Sequence, residues 1–425
     1  MKLTPFWVDD HPRPGDLGRD PLPSDTDVLV VGSGLTGLSA ALRLARSGQT
    51  VTVIDRAEIA GGASSINGGM VSPDVKAGIT TIFERHGPEI GKEMWHSTVR
   101  SVELVRGLAR DPEVDALVDE NGMAALGHGE RKRRSFEKTV AWYQQNLGVD
   151  WEILTGSDVG RVVGGDHFDV ALYEPEGFGV HPARLSFGLA GLVQRAGALL
   201  VGLCAAESIE ATPSGLRVKT SRGSIDAGQV IIATNGYTTR EPIPRLARLV
   251  VPIGSYIIVT EPLGRDEAER IFPGGAMTYT KHRLLNYMRR THDHRVLLGG
   301  RRSLHPDLDL DESSTDLRRA LVKYWPNLEE AAITHVWGGR LGIPFDLTPH
   351  IGRVNGAWYA MGYAGHGVGL SCQLGLELAG MLLGEDPPSV YSRIAHQGRF
   401  YYTGGRAWFL TPASHLYRTL DKVGI

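Results

Sequence analysis

Three observations predict an α/β fold of two lobes, each assembled from discontinuous segments. Glycine-rich strand–turn–helix elements stand at the start of the chain, near residue 235 and near residue 365. Sheet-and-helix material fills the two gaps between them. The 425 residues also exceed one ordinary core, and no period-length repeat offers a solenoid instead.

The first element runs from Asp27 to Asp55. An apolar run, Val28 to Val31, ends at Gly32-Ser33-Gly34-Leu35-Thr36-Gly37. A helical stripe of Leu38, Ala41, Leu42 and Ala45 follows, and Gly48 is its expected C-terminal cap. A second apolar run, Val51 to Ile54, stops at Asp55, 23 positions beyond Gly32. This is the pattern of a Rossmann-like dinucleotide site. Gly32 permits the tight turn, Gly34 lets backbone approach a pyrophosphate, and Gly37 lets the helix lie close to the strand. The helix N-terminus offers N–H groups and a positive dipole end to phosphates, and Asp55 is placed to accept from a ribose.

The second element, Val230 to Ala233 followed by Thr234-Asn235-Gly236-Tyr237, is an apolar strand ending in small polar residues, which leave room for a cofactor at its carboxyl end. The third, Gly362-Tyr363-Ala364-Gly365-His366-Gly367-Val368-Gly369, precedes an apolar helix. Its glycines expose successive N–H groups at a helix N-terminus, suited to a flavin ring that becomes negative on reduction. Between the first two lies Gly61 to Met70, where Ser64, Ser65 and Asn67 supply polar contacts and Gly68 and Gly69 allow backbone approach.

The gaps read as follows. Residues 1–24, rich in proline and aspartate, are expected to wrap the surface as an arm. Pro88 to Leu147 is helical with a break near Pro112, and short strands follow, among them 122–126 and 170–173. His181-Pro182 opens a helix through Arg195. Strands fall at 215–220 and 229–233, and long strands of a second sheet at 250–260 and 295–299. Residues 316–324 are helical.

Composition excludes several classes. A net charge of −3 gives no reason to expect nucleic acid or an anionic membrane as partner. The basic run Arg131 to Arg134 reads as a solvated helix start. Two cysteines, Cys204 and Cys372, make no disulfide framework and fit a reducing compartment. His282, His292 and His294 lack the further ligands of a metal site, so no metal is expected. Met1 to Gly15 has no signal-peptide core, and no run approaches the roughly 18 apolar residues of a membrane span. A cytoplasmic protein is expected.

These motifs carry a resemblance. VVGSGLTGLSAALRLA with VIDR, GGASSINGGMVSP, VIIATNGYT, NYMRR followed by VLLGGR, WGGRLGIPFDLTPHIG and GYAGHGVGLS are similar, in this order, to the D-amino-acid-oxidase superfamily of FAD-dependent oxidoreductases. The branch is that of glycine oxidase, sarcosine oxidase and gamma-glutamylputrescine oxidase, whose tail RFYYTGGRAWFLTPASHLYRTLD also resembles. The resemblance implies an FAD-binding lobe from 25–87, 181–245 and 335–385, and an antiparallel-sheet substrate lobe from 88–180 and 246–334. A tail at 386–425 would pack on the FAD lobe. The implied cofactor contacts include Leu35, Thr36, Arg56, Gly62, Ala63 and Gly339 besides the residues above. The implied reaction passes a hydride equivalent from the carbon bearing the amine to flavin N5. O2 is then reduced to hydrogen peroxide, and the imine hydrolyses. The flavin carries that chemistry and the protein supplies orientation and electrostatics.

Three departures shape the expectations. Relatives that attach the flavin use a cysteine shortly before the GYAGHG-like motif; none lies between Trp337 and Gly362, so FAD is expected to be non-covalent. The strand matching Val296 to Gly299 lacks the oxygen-activating lysine of the sarcosine oxidase group, and Lys281 is the nearest substitute. The carboxylate-binding arginine of glycine oxidase lies one place beyond Arg340, and one residue turns a strand side chain to the other face. Arg340, Arg289, Tyr287, Tyr256 and His366 complete the candidate substrate site. The leading reading is an oxidase of a small amine or amino acid, preferably a carboxylate-bearing secondary amine such as an N-substituted glycine, an iminodiacetate-like compound or a gamma-glutamyl amine. The alternatives are a dehydrogenase of a hydroxy acid or amine that uses a quinone or carrier protein, and a non-catalytic flavoprotein subunit. Oligomeric state stays open.

Overall fold

In the computed structural model of the chain, residues 1–282, 284–301, 304–405 and 407–422 are described; positions 406 and 423–425 of the expected tail fall outside them. The first sheet has the order Leu199–Val201, Val51–Ile54, Asp25–Val31, Gly223–Ile232, Ala357–Met361, His350–Val354. Its first five strands run parallel, and the last pairs antiparallel. Both central strands are apolar throughout their inner stretch because both faces are buried: Val28 and Val30 pack with Leu38 and Leu374 of the helices, and Leu29 and Val31 share a core with Leu216 and Val218 of a β-meander on the other face. The helices Leu35–Arg46 and Gly367–Leu383 pack together, and a Cβ at Gly375 would overlap the Thr36 carbonyl. Ala206–Thr212 and Gly215–Thr220 fold as an antiparallel meander onto the long Gly223–Ile232 strand.

The second sheet has the order Ile333–Pro344, Val250–Thr260, Val296–Gly300, Tyr287–Arg290, Met277–Thr280, Met123–Gly127, Val170–Glu174, Glu152–Thr155. Its pairs are antiparallel except the one between Met277–Thr280 and Met123–Gly127. Alternation decides what each strand offers: in Val250–Thr260, Ser255 and Ile257 face one side while Tyr256 and Ile258 enter a core behind the sheet. The strand Ile333–Pro344 corrects one boundary. Expected from 335 in the first lobe, it instead pairs with Val250–Thr260 along its length, and the chain returns to the first sheet at His350. The tail is corrected likewise, because Leu410 packs with Val251 and Ile253 of the second sheet and the Ser414 hydroxyl accepts from Leu304 N–H at 2.9 Å.

The arm does not merely wrap the surface. Phe6 and Trp7 are buried in the main core, the Trp7 Nε1–H donates to the Asn67 carbonyl at 2.9 Å, and the Arg289 guanidinium lies 5.6 Å over the indole. Proline and aspartate around these two aromatics hid them from a composition-based reading. Trp7→Ala is expected to lower stability by about 3–5 kcal/mol, read as an earlier urea midpoint. Unchanged unfolding would show that the arm is dispensable.

Candidate active site

The three glycine-bearing turns converge. Gly32 adopts φ +107°, and a Cβ there would lie 2.7 Å from the Ala233 carbonyl oxygen, so the first turn abuts the second. A Cβ at Gly37 would overlap the Gly32 oxygen, which is the close helix–strand packing read from sequence. The Thr36 hydroxyl pairs with the Tyr363 hydroxyl at 2.7 Å, joining the first turn to the third. The Asn235 carboxamide oxygen accepts from Gly362 N–H at 2.9 Å, joining the second to the third. Gly236 is pressed against the backbone of Arg340 to Gly342.

Asp55 organises this turn from within. Its Oδ2 accepts from the Ser33 amide and hydroxyl at 2.8 and 2.7 Å, and its Oδ1 from Ala57 N–H at 2.9 Å. The Ser64 hydroxyl accepts from Leu35 N–H at 3.0 Å, the first amide of the Leu35–Arg46 helix. Arg56 is exposed and donates to the Tyr237 carbonyl, while Gly62 lies against the Tyr237 ring. Ser65 donates to the Ala60 carbonyl at 2.6 Å and Asn67 to the Ser64 carbonyl at 2.7 Å, so these two shape the Ala63–Met70 turn. Thr234 pairs with Thr238, their hydroxyls 2.7 Å apart.

A cavity of about 1280 Å³ opens beside these turns. Ala63, Asn67, Gly68 and Met70 line one side with Gly365, His366, Val368 and Gly369; the second sheet supplies Ser255, Tyr287, Trp337 and Gly339 opposite. Trp337 Nε1–H donates to the Ile66 carbonyl at 2.8 Å and so ties the two sides together. At the third turn, Gly362 and Gly365 take φ +90° and +103°, and Gly367 starts the Gly367–Leu383 helix. His366 stands just before that helix without a capping side-chain bond; its Nδ1 is buried without a hydrogen-bond partner, and burial, then Lys76, push its pKa down to about 3. A Cβ at Gly365 would meet nothing within 4 Å. An orphaned ring nitrogen, open space at Gly365 and a helix N-terminus together fit the electron-rich edge of a flavin, and the Gly32–Gly37 turn fits a pyrophosphate.

The expected substrate residues divide. Tyr287 lines the cavity, with its hydroxyl 3.1 Å from the Ser255 hydroxyl and its ring filling the space at Gly68 and Gly299. Lys281 and Arg340 also line it, but Arg340 is paired with Asp307 at 2.6 Å and 40% exposed, at the rim. Two expectations are corrected. Arg289 shares a strand face with Tyr287, yet its guanidinium donates to the carbonyls of Gly69 and Val180 at 3.0 and 2.9 Å, bracing the Gly68–Gly69 turn outside the cavity. Tyr256 faces the core behind the sheet, donating to the Pro306 carbonyl at 2.9 Å and accepting from Leu308 N–H at 2.7 Å.

Sequence reading assigned no role to the strongest electrostatic groups. Arg301 is half-buried on the cavity wall, and its buried Nε has no partner. Lys76 faces the same space, and burial followed by the Arg301 charge lowers its pKa to about 8. Burial raises Asp74 to about 6 and Glu174 to about 7, and Glu174 accepts from the Tyr279 hydroxyl at 2.8 Å. Among the described lining residues, seven lysines and arginines face three carboxylates, so the cavity favours an anion in a chain whose net charge is −3. Arg301 does end the quoted VLLGGR run, the one sequence signal that marked it.

A glycine-built dinucleotide site beside a cationic cavity walled by an antiparallel sheet defines a flavin-dependent oxidoreductase. Residues 27–381 match the family described as FAD dependent oxidoreductase (DAO), and the chain belongs to that family. It is 28% identical to gamma-glutamylputrescine oxidoreductase of Escherichia coli (strain K12) over 94% of this chain and 93% of that protein. It is 27% identical to glycine oxidase of Pseudomonas aeruginosa over 85% of this chain and 95% of that protein. The fold is that of solved glycine oxidase from Geobacillus kaustophilus, with TM-score 0.75 and 20% identity over 88% of this chain and 100% of that one. Iminodiacetate oxidase from Chelativorans sp. BNC1 shares it at TM-score 0.70, with 22% identity over 86% and 98%. Among the described residues, no helix is long and apolar enough to cross a membrane.

Proposed function

We propose that the chain oxidises a carboxylate-bearing amine or amino acid with non-covalent FAD and O2, and that Arg301 with Lys76 holds the carboxylate. The observation that carries this reading is a guanidinium whose buried Nε has no partner, beside the half-buried Lys76 ammonium on one cavity wall. Among the described residues neither charge makes an ion pair, and a bidentate carboxylate would supply one to Arg301. When bound, FAD supplies the two-electron acceptor: the substrate C–H gives up a hydride equivalent, its N–H a proton, and O2 ends as hydrogen peroxide.

The side chains contribute position and field. Arg301 and Lys76 fix one end of the substrate, and Tyr287 and Trp337 wall the space beside it. His366, neutral because of its burial, offers a ring nitrogen without adding charge at the N-terminus of the Gly367–Leu383 helix. Asp55 and the Gly32–Gly37 turn are assigned to the nucleotide end, with Asp55 also fixing the turn itself. N-substituted glycines, iminodiacetate-like compounds and gamma-glutamyl amines are the substrates to test, by anaerobic bleaching of the yellow protein. If no amine or amino acid bleaches it, amine oxidation is wrong. Flavin that stays with the chain after denaturation would refute non-covalent binding.

One observation favours a second reading. The Val296–Gly300 strand has no lysine, and Gly299 is filled by the Tyr287 ring, so oxygen meets no cation there. A quinone or carrier protein is then the acceptor, and stopped-flow reoxidation by O2 separates the two. The Lys76 shift sets a pH dependence. Its charged form exists below about 8, so kcat/KM for the carboxylate amine is expected to fall as pH rises through that value. Lys76→Arg should move that falling limb to higher pH. An unmoved limb would assign it to another group.

A further inference from the structure

We propose that Asp346, His350 and His396 form a Zn²⁺ site that fastens the Tyr391–His396 segment to the edge of the first sheet. The three residues come from the turn after Ile333–Pro344, the strand His350–Val354 and the segment beyond the Val390–Arg393 helical turn. Their ligand atoms all lie within 4.8 Å of one another. His350 Nε2 stands 3.1 Å from Asp346 Oδ1, and His396 Nδ1 stands 3.0 Å from Asp346 Oδ2.

Tautomers decide what these distances mean. The far nitrogen of His396, Nε2, lies 2.8 Å from the Tyr391 carbonyl, an acceptor only, so that nitrogen carries the hydrogen. In a neutral ring Nδ1 is then a bare lone pair, and it faces a carboxylate oxygen. Two lone pairs at 3.0 Å repel, so a cation must stand between them. The choice is a proton on His396 or a metal ion shared by all three residues.

The second imidazole favours the metal. The His350 and His396 rings stack with centroids 3.5 Å apart, and both aim a nitrogen at the same carboxylate. Without metal the two contacts need two separate hydrogens, one on His350 Nε2 and one added to His396 Nδ1; one metal ion serves both nitrogens and the carboxylate together. His350 Nδ1 is buried without a hydrogen-bond partner, so no neighbour fixes that ring's hydrogen on Nδ1 or Nε2, and Nε2 can present its lone pair. The Tyr391 carbonyl behind His396 is the outer support that metal-bound imidazoles use. Two imidazoles and a carboxylate suit Zn²⁺, with the partly exposed Asp346 side leaving a fourth position to solvent.

The site sits next to the cavity. Leu347 follows Asp346, lines the cavity, and its carbonyl accepts from Ala77 N–H at 3.1 Å, one residue from Lys76. Zinc would therefore stiffen the turn that carries one cavity wall.

The test uses tag-free, flavin-loaded protein and zinc alone. After chelator dialysis, zinc titration against a chromophoric chelator should give one ion per chain, and zinc should raise Tm by several degrees. Asp346→Asn and His396→Gln should each lose both effects. If either variant fails to fold, Co²⁺ in the unaltered protein decides, through the visible absorption of a four-coordinate nitrogen–oxygen site. Substoichiometric zinc with no rise in Tm, or zinc that stays bound in both variants, overturns the proposal and leaves a protonated His396 as the bridge.

Discussion

Arg301→Met should reduce kcat/KM for a carboxylate-bearing amine by on the order of 100-fold, since losing one partner of a buried charge pair costs about 3 kcal/mol. The same amine without its carboxylate should be turned over as before. This contrast matters because, among the described residues, no carboxylate forms an ion pair with Arg301, so the substitution removes charge without stranding one. Arg301→Lys should recover only part of the loss, because an ammonium does not reproduce the planar fork of donors. Steady-state kinetics on the two amines, with flavin content checked in each variant, make the comparison. Equal losses on both would place Arg301 among residues that shape the cavity, and the carboxylate assignment would fall.

Gly37→Ala should yield protein without flavin and with a lower melting temperature. The added Cβ overlaps the Gly32 carbonyl oxygen and lies 3.0 Å from Val30. Backbone cannot swing aside as a flexible side chain does, so the helix must lift from the strand, at a cost of about 1–3 kcal/mol or more. That displacement also moves the first amides of Leu35–Arg46 away from where a pyrophosphate would meet them. Gly107→Ala is the matched control: it lies in the Ile79–Arg110 helix, its Cβ would meet nothing within 4 Å, and it should gain about 0.5–1 kcal/mol. The ratio of flavin to protein absorbance reads the first effect, and thermal unfolding reads the second. A yellow, stable Gly37→Ala protein would mean that the close approach is not what holds the cofactor turn.

Several elements were legible because their signals are local. The Val250–Thr260 strand and the helix opening at Pro182 carry their period and their boundaries within a dozen residues. The Gly32–Gly37 turn is legible for the same reason, since each glycine answers a steric demand set a few residues away. Arg289 and Tyr256 were misassigned for a different reason. Period-2 alternation gives the two faces of a strand, but not which face meets the cavity or what already occupies it. Arg289 shares a face with Tyr287 and is captured by two carbonyls from distant loops. Phe6 and Trp7 were missed because two aromatics in a polar arm have no period to display.

The amino-acid order by itself determined the nucleotide lobe, the order of its turns and the flavoenzyme family, since glycines and apolar runs impose their geometry on immediate neighbours. Only the tertiary structure decided the polarity of the cavity and the meeting of Asp346, His350 and His396. Lys76 and Arg301 are 225 positions apart, and charges interact through space whatever their separation along the chain. The surroundings that shift Lys76 and leave the Arg301 Nε without a partner are drawn from the turns of the nucleotide lobe and from the second sheet.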